Sequence, residues 1–123
     1  MAKVLLYNIE AGKAVKIKML CRKFFIDTQE VKKEQYGLKI AALLEETSDT
    51  AATPDESFDE EMLYFADING GFLSILLDGL RKKKAQVALK AVKTDTNMNF
   101  TSVELYRELT AERAALAKGE TAH

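Results

Sequence analysis

The sequence predicts an α/β domain of element order βαβαβαβα, with a four-stranded, mainly parallel sheet in the order 2-1-3-4 and helices on both faces. Three observations predict it. Residues 4–9 (VLLYNI) and 62–65 (MLYF) are near-continuous apolar runs, the pattern of central strands covered on both faces. Helical periodicity alternates with strand-like segments along the chain. The link between the second and third strands itself contains a helix, as a parallel crossover does and a hairpin does not. The alternative is a ferredoxin-like α+β fold with an inserted helix and an antiparallel sheet. An internal echo favours it: Leu5-Leu6-Tyr7, a helix and Val31-Lys32-Lys33 parallel Met62-Leu63-Tyr64, a helix and Ala91-Val92-Lys93. Each is the size of one βαβ unit.

The elements follow in order. After the first strand, Ala14, Ile17, Cys21 and Phe24 share a helical face, with Val15 and Leu20 beside it. Lys13, Lys16, Lys18, Arg22 and Lys23 take the other positions. Residues 26–33 read as a weaker edge strand whose charges discourage edge-to-edge pairing. Residues 35–46 form a short amphipathic helix through Leu38, Ile40, Leu43 and Leu44. Residues 47–61 hold the only proline, Pro54, and the acidic residues Asp55, Glu56, Asp59, Glu60 and Glu61, so they read as a mobile acidic loop that Phe58 pins to the body.

The third strand is followed by Asn69-Gly70-Gly71, with Asn69 as N-cap. An apolar helix then runs through Phe72, Ile75, Leu76, Leu77 and Leu80 and ends in Arg81-Lys82-Lys83-Lys84, cations placed against the negative end of its dipole. Residues 87–93 form the fourth strand. Thr101 and Glu104 make a capping box, and Phe100 is spaced to staple onto Leu105. The last helix becomes alanine-rich and stops near Gly119. The expected organisation is a single domain over residues 1–118 and a disordered tail over 119–123.

The bulk numbers narrow the function classes. A net charge of −1 gives no global attraction to nucleic acid or an anionic membrane. One cysteine, Cys21, rules out an intrachain disulfide and fits a reducing cytoplasm. No run approaches the roughly 20 apolar residues of a membrane span. The only histidine is His123, too remote for Cys-His or Ser-His machinery. Gly12-Lys13 lacks the remaining residues of a phosphate loop. Asp67-Ile68-Asn69 lacks the glycine and the closing glutamate of a calcium loop.

The candidate ligand-binding residues are Asn8, Asp67, Asn69, Thr94, Asp95, Thr96 and Asn97. In a parallel sheet Asn8, Asp67 and the Thr94 to Asn97 turn would all lie at carboxyl strand ends, where crevices form in open α/β sheets. The plainer reading is that these side chains bond their own backbone and shape turns. No catalytic residue, metal ligand or cofactor is assigned.

Gly71-Phe72, Leu80-Arg81-Lys82, Leu89-Lys90-Ala91-Val92, the Thr94 to Asn97 turn and Leu105-Tyr106 together carry a pattern. It resembles that of a bacterial domain-of-unknown-function family, number 3783 in its series. The likeness covers about residues 62–109, and Leu5-Leu6-Tyr7-Asn8 also looks like the family. Asp95 stands where the family has proline and Phe100 where it has tryptophan. The resemblance implies kinship and no activity. The expected function is a small non-catalytic binding or regulatory domain with a protein partner or a second copy of itself. The alternative is a small-ligand sensor or small enzyme using the strand ends.

Overall fold

The apolar runs at residues 4–9 and 62–65 become β1 (Lys3–Tyr7) and β3 (Met62–Ala66), both buried along their whole length. The computed structural model describes residues 2–45 and 56–118. The mobile-loop expectation over 47–55, the stop at Gly119 and the disordered tail over 119–123 lie outside the described residues. β2 (Asp27–Glu30) and β4 (Leu89–Val92) complete a sheet in the order β2-β1-β3-β4. The predicted order and the mainly parallel character both hold: β1 pairs β2, and β3 pairs β4, in parallel.

The central pair differs. β1 and β3 run antiparallel, with Lys3 opposite Ala66, Leu5 opposite Tyr64 and Tyr7 opposite Met62. The sheet is therefore two parallel βαβ units joined along an antiparallel seam. Crossovers of one fixed hand then deliver both helices to the same face, because the two units step outward in opposite directions from oppositely directed strands. Accordingly α1 (Ala11–Lys23) and α3 (Gly70–Lys82) lie together in one cluster with Val4, Leu6, Leu63 and Phe65. A parallel central pair would have put one of them on each face. The opposite face of the two strands, Leu5, Tyr7, Met62, Tyr64 and Ala66, is also fully buried.

The internal echo in the sequence is exact over the first three structural steps. β1 and β3, the N-caps Glu10 and Asn69, and α1 and α3 all correspond at a constant shift of 59 positions. So do two pairs of residues in the left-handed region, Asn8 with Asp67 and Phe25 with Lys84. Both helices end in the same motif. Ile26 N–H donates to Cys21 O while Phe25 N–H donates to Arg22 O, and Ala85 and Lys84 repeat this with Leu80 and Arg81. These are Schellman endings, whose left-handed residue is usually glycine.

The chain divides into two compact units, residues 1–31 with 59–93, and residues 32–58 with 94–123. The first contains the sheet, α1 and α3. In the second, a 3-10 turn (Lys33–Gln35) and α2 (Ile40–Leu44) occupy the place of the predicted 35–46 helix. A second 3-10 turn (Asn97–Asn99) precedes α4 (Ser102–Ala117). The Thr101–Glu104 capping box forms in both directions, at 2.9 and 3.2 Å. Ile40 N–H donates to Phe100 O at 2.9 Å. Phe58 is 5% exposed and stacks between Tyr36 and Tyr106, with centroids 4.7 and 4.2 Å away. The expected pin is thus an aromatic sandwich, and Glu56 pairs with Arg107 close by.

Candidate functional site

The antiparallel seam decides where the predicted site residues go. Asn8 follows β1 beyond Tyr7, at the Met62 end of the seam, and Asp67 follows β3 beyond Ala66, at the Lys3 end. Five residues of strand separate those ends, about 17 Å at the usual rise. Convergence of Asn8 and Asp67 on one edge, expected from a parallel central pair, does not occur. Thr94, Asp95, Thr96 and Asn97 belong to the other compact unit.

Asn8, Asp67, Asn69, Thr94 and Asn97 have side-chain bonds within the fold, and Asp95 and Thr96 contribute backbone carbonyls. The Asn8 side-chain amide donates to Glu60 O at 3.2 Å, and its backbone is left-handed at φ 56°. Asp67, at φ 58°, accepts from Lys93 Nζ at 3.1 Å. Asn69 Oδ1 accepts from Gly71 N–H at 2.8 Å and caps α3, as predicted. Thr94 and Asn97 bond reciprocally: Thr94 N–H to Asn97 Oδ1 at 2.9 Å, Asn97 N–H to Thr94 Oγ1 at 3.0 Å. Asp95 and Thr96 supply carbonyls, to the Asn99 side chain and backbone. Asn, Asp and Thr serve here as turn formers and caps.

Sequence reasoning missed a second polar group beyond β1. Glu10 caps α1 through Gly12 and Lys13 N–H at 2.8 and 2.9 Å, and these bonds hold its carboxyl below the usual range. Lys13 Nζ reaches Glu61 at 2.6 Å and Gln86 O at 3.0 Å, while Glu10 N–H donates to the other Glu61 oxygen. Burial pushes the Glu61 carboxyl up, but Lys13 and the Glu10 N–H together outweigh it and hold the group low. Every member bonds another member or the backbone, and a closed network of this kind is a structural tie. The only sequence signal was a carboxylate immediately before the helix, weaker than the Asn69 pattern.

Two open clefts flank the sheet. One, of about 420 Å³, lies between α3 and β4 and is lined by Ser74, Leu77, Asp78, Arg81, Gln86 and Lys90 among others. The other, about 440 Å³, is its counterpart under the 59-residue shift and includes Lys18, Arg22 and Asp27. Part of their charge is compensated. Asp78 pairs with Lys82 and Arg81, which hold its carboxyl low, and Lys18 pairs with Glu30. Among the described residues, no buried side-chain polar atom lacks a partner, and no three His, Cys, Asp or Glu side chains group as metal ligands. Cys21 is buried, and burial pushes its thiol up to about 11, away from nucleophilic use. Burial, and then the Asp67 charge, also raise the Tyr64 hydroxyl.

A further set of exposed apolar side chains lies on α1 and α3. Val15 and Met19, one turn apart on α1, are 55% and 62% exposed. Phe72 and Ile75, on α3, are 52% and 53% exposed. The helices touch: the Phe24 and Phe72 rings are 6.1 Å apart, and Leu20 packs against the bare backbone of Gly79. Lys16, Arg22, Lys23, Lys82 and Lys83 are exposed on the same helices and their ends, and α1 has no acidic residue. The sequence signal for this face was an apolar arc on α3 too wide for one buried stripe.

Among the described residues, no helix is long and apolar enough to cross a membrane. No curated protein and no solved structure matches this chain. The model of the family described as a domain of unknown function (DUF3783) matches residues 61–116, from the start of β3 to the end of α4, so this stretch carries that family's pattern.

Proposed function

We propose that this chain is a non-catalytic binding domain of a bacterial cytoplasmic protein, and that it binds through the outer face of α1 and α3. The carrying observation is the group of four large apolar side chains, each more than half exposed, on two adjoining helices. Their summed exposed apolar surface is on the order of 400 Å², comparable with the largest apolar patches of soluble monomers, which are often functional. Scattered single apolar residues would need no such account. The cations around the patch specify the chemistry of the occupant: an acidic amphipathic helix, with an apolar stripe to fill the centre and carboxylates to meet the rim.

The alternative, a ligand sensor at the strand ends, is less well supported. Asn8, Asp67, Asn69, Thr94 and Asn97 each have a bonding role within the fold. The cytoplasmic setting rests on the single cysteine, and the bacterial one on the family likeness.

A photo-crosslinking amino acid placed at position 75 tests the reading in cells, with position 34, exposed in the other unit, as control. Protein adducts are expected from position 75 and not from position 34. Illumination that yields no adduct from position 75 sinks the proposal.

A further inference from the structure

We propose that the cleft between α3 and β4 is a second binding site, which takes a small amphiphilic anion: an apolar body carrying a single carboxylate or phosphate. It is separate from the α1/α3 face and does not depend on it.

The cleft holds about 420 Å³, within the range of small-molecule sites. Its lining is of two kinds. Leu77, Leu80 and Val87 are apolar, and the last two are buried members of the core, which fixes them in place. Arg81, Gln86 and Lys90 are polar and exposed. Two bonds to backbone hold the polar part. Lys90 Nζ donates to Val87 O at 2.8 Å, which anchors the ammonium beside a cleft residue. The other two N–H groups of that ammonium are left to give. Lys13 Nζ donates to Gln86 O at 3.0 Å and ties down the segment before β4.

The charge of the cleft has a surplus. Asp78 meets two cations with one carboxylate, Arg81 at Oδ1 and Lys82 at Oδ2. With Lys90, three cations stand against one carboxylate, which leaves two positive charges over. A guanidinium fork and an ammonium are the usual partners of a carboxylate or a phosphate. An apolar lining with a few convergent polar groups is the usual composition of a small-molecule site.

The 59-residue correspondence supplies a comparison within the same molecule. In the twin cleft, Arg22 stands at the place of Arg81, but Lys18 stands at that of Leu77, Asp27 at that of Gln86 and Thr28 at that of Val87. Lys18 is paired with Glu30, and the charges of Lys18, Arg22, Asp27 and Glu30 cancel. One frame thus yields a polar, balanced cleft and an apolar, cationic one. Only the second offers an amphiphilic anion both of its contacts.

Amide NMR titration of the full chain at about 0.15 M salt tests this. Phenyl phosphate and phenylacetate are the probes, one phenyl body with each headgroup. Benzyl alcohol keeps the body without the charge, and inorganic phosphate keeps the charge without the body. Saturable shifts are expected over residues 74–90, with a dissociation constant of about 1 mM for the tighter aromatic anion. Both controls should bind about tenfold more weakly or worse. The tighter headgroup identifies the ligand class. Lys90→Met and Arg81→Gln should each weaken binding about threefold to fivefold, whereas Asp78→Asn, which removes the competing carboxylate, should tighten it by a similar factor. Gln86→Glu, which supplies an acidic residue as in the twin cleft, should weaken it. Arg81, Gln86 and Lys90 are exposed, so unchanged circular dichroism is expected. The proposal is overturned by unsaturable shifts, by a control that binds as tightly as the probes, by shifts centred on residues 18–28 or on positions 15, 19, 72 and 75, or by an Asp78→Asn protein that binds no better. Crosslinking from position 75 reads the α1/α3 face alone, so either reading can fail and leave the other standing.

Discussion

Replacing Gly79 by alanine pits two known effects against each other at one point of the fold. Gly79 lies inside α3, where glycine is about 1 kcal/mol less favourable than alanine. On propensity alone Gly79→Ala should stabilise. The new Cβ, however, would stand 2.8 Å from Leu20 Cδ2 and 3.3 Å from Leu20 Cδ1. Leu20 is 6% exposed and has little room to retreat. Overpacking of this kind costs about 1–3 kcal/mol. The net expectation is a loss of about 1 kcal/mol. In a Leu20→Ala background both methyl groups are gone, and the same substitution should instead gain about 1 kcal/mol from propensity. The coupling is then about 2 kcal/mol, within the range for residues in contact. Urea denaturation followed by circular dichroism on the four proteins gives each value. Leu20→Ala alone should cost about 2–5 kcal/mol, so the cycle belongs at low temperature, with midpoints compared at constant slope. If Gly79→Ala has the same sign and size in both backgrounds, α1 and α3 do not meet at this pair.

Three other outcomes follow from the geometry. Phe25 and Lys84 hold the left-handed position of the Schellman endings without being glycine, and Phe25 is 94% exposed; Phe25→Gly and Lys84→Gly should each stabilise by about 1 kcal/mol in thermal or urea unfolding, and a loss from either would show that its side chain holds the turn. The Cys21 thiol ionises near 9 when unfolded and near 11 when folded, so stability is fully present below pH 9 and is lost as pH rises to about 11. The loss should be about 2 kcal/mol more than in Cys21→Ala, and a thiol reagent should label the native protein only as fast as it opens; equal slopes for the two proteins would refute burial of the thiol. Glu61 is held below its usual value of 4.5, so its contribution is present above that pH and declines as pH falls through the lower folded value. Lys13→Met should flatten the unfolding-midpoint profile below about pH 4.5, and an unchanged profile would count against the Lys13–Glu61 tie.

Local chemistry was the legible part of the sequence. Asn69 before Gly70-Gly71, and Thr101 three residues ahead of Glu104, each satisfy orphan helix N–H groups by contacts within a few residues, so sequence spacing alone specifies them. Strand order was legible too, because covered central strands are apolar on both faces and edge strands such as β2 are not. The sense of the seam was not. Whether β1 and β3 run parallel or antiparallel depends on the path through residues 31–61, and an apolar pair such as Leu6 and Leu63 packs equally well either way. That one ambiguity carried the candidate site with it, since placing Asn8 beside Asp67 required parallel strands. The Lys13–Glu61 contact was unreadable for a related reason: it joins residues 48 apart, and neither has a pattern that names the other.

The 59-residue correspondence also gives the fold a division of labour. Equivalent positions on α1 and α3 have the same backbone geometry, yet their side chains have parted company. Lys13 answers to Phe72, Lys16 to Ile75 and Lys18 to Leu77. One frame has been furnished twice, once with cations and once with hydrocarbon. Because the seam brings both copies of the frame to a single side of the sheet, the two furnishings become neighbours, and the result is a mosaic that neither helix presents alone. Making the halves alike again, by writing the α1 residues into α3 or the reverse, would leave the sheet its architecture and erase that mosaic.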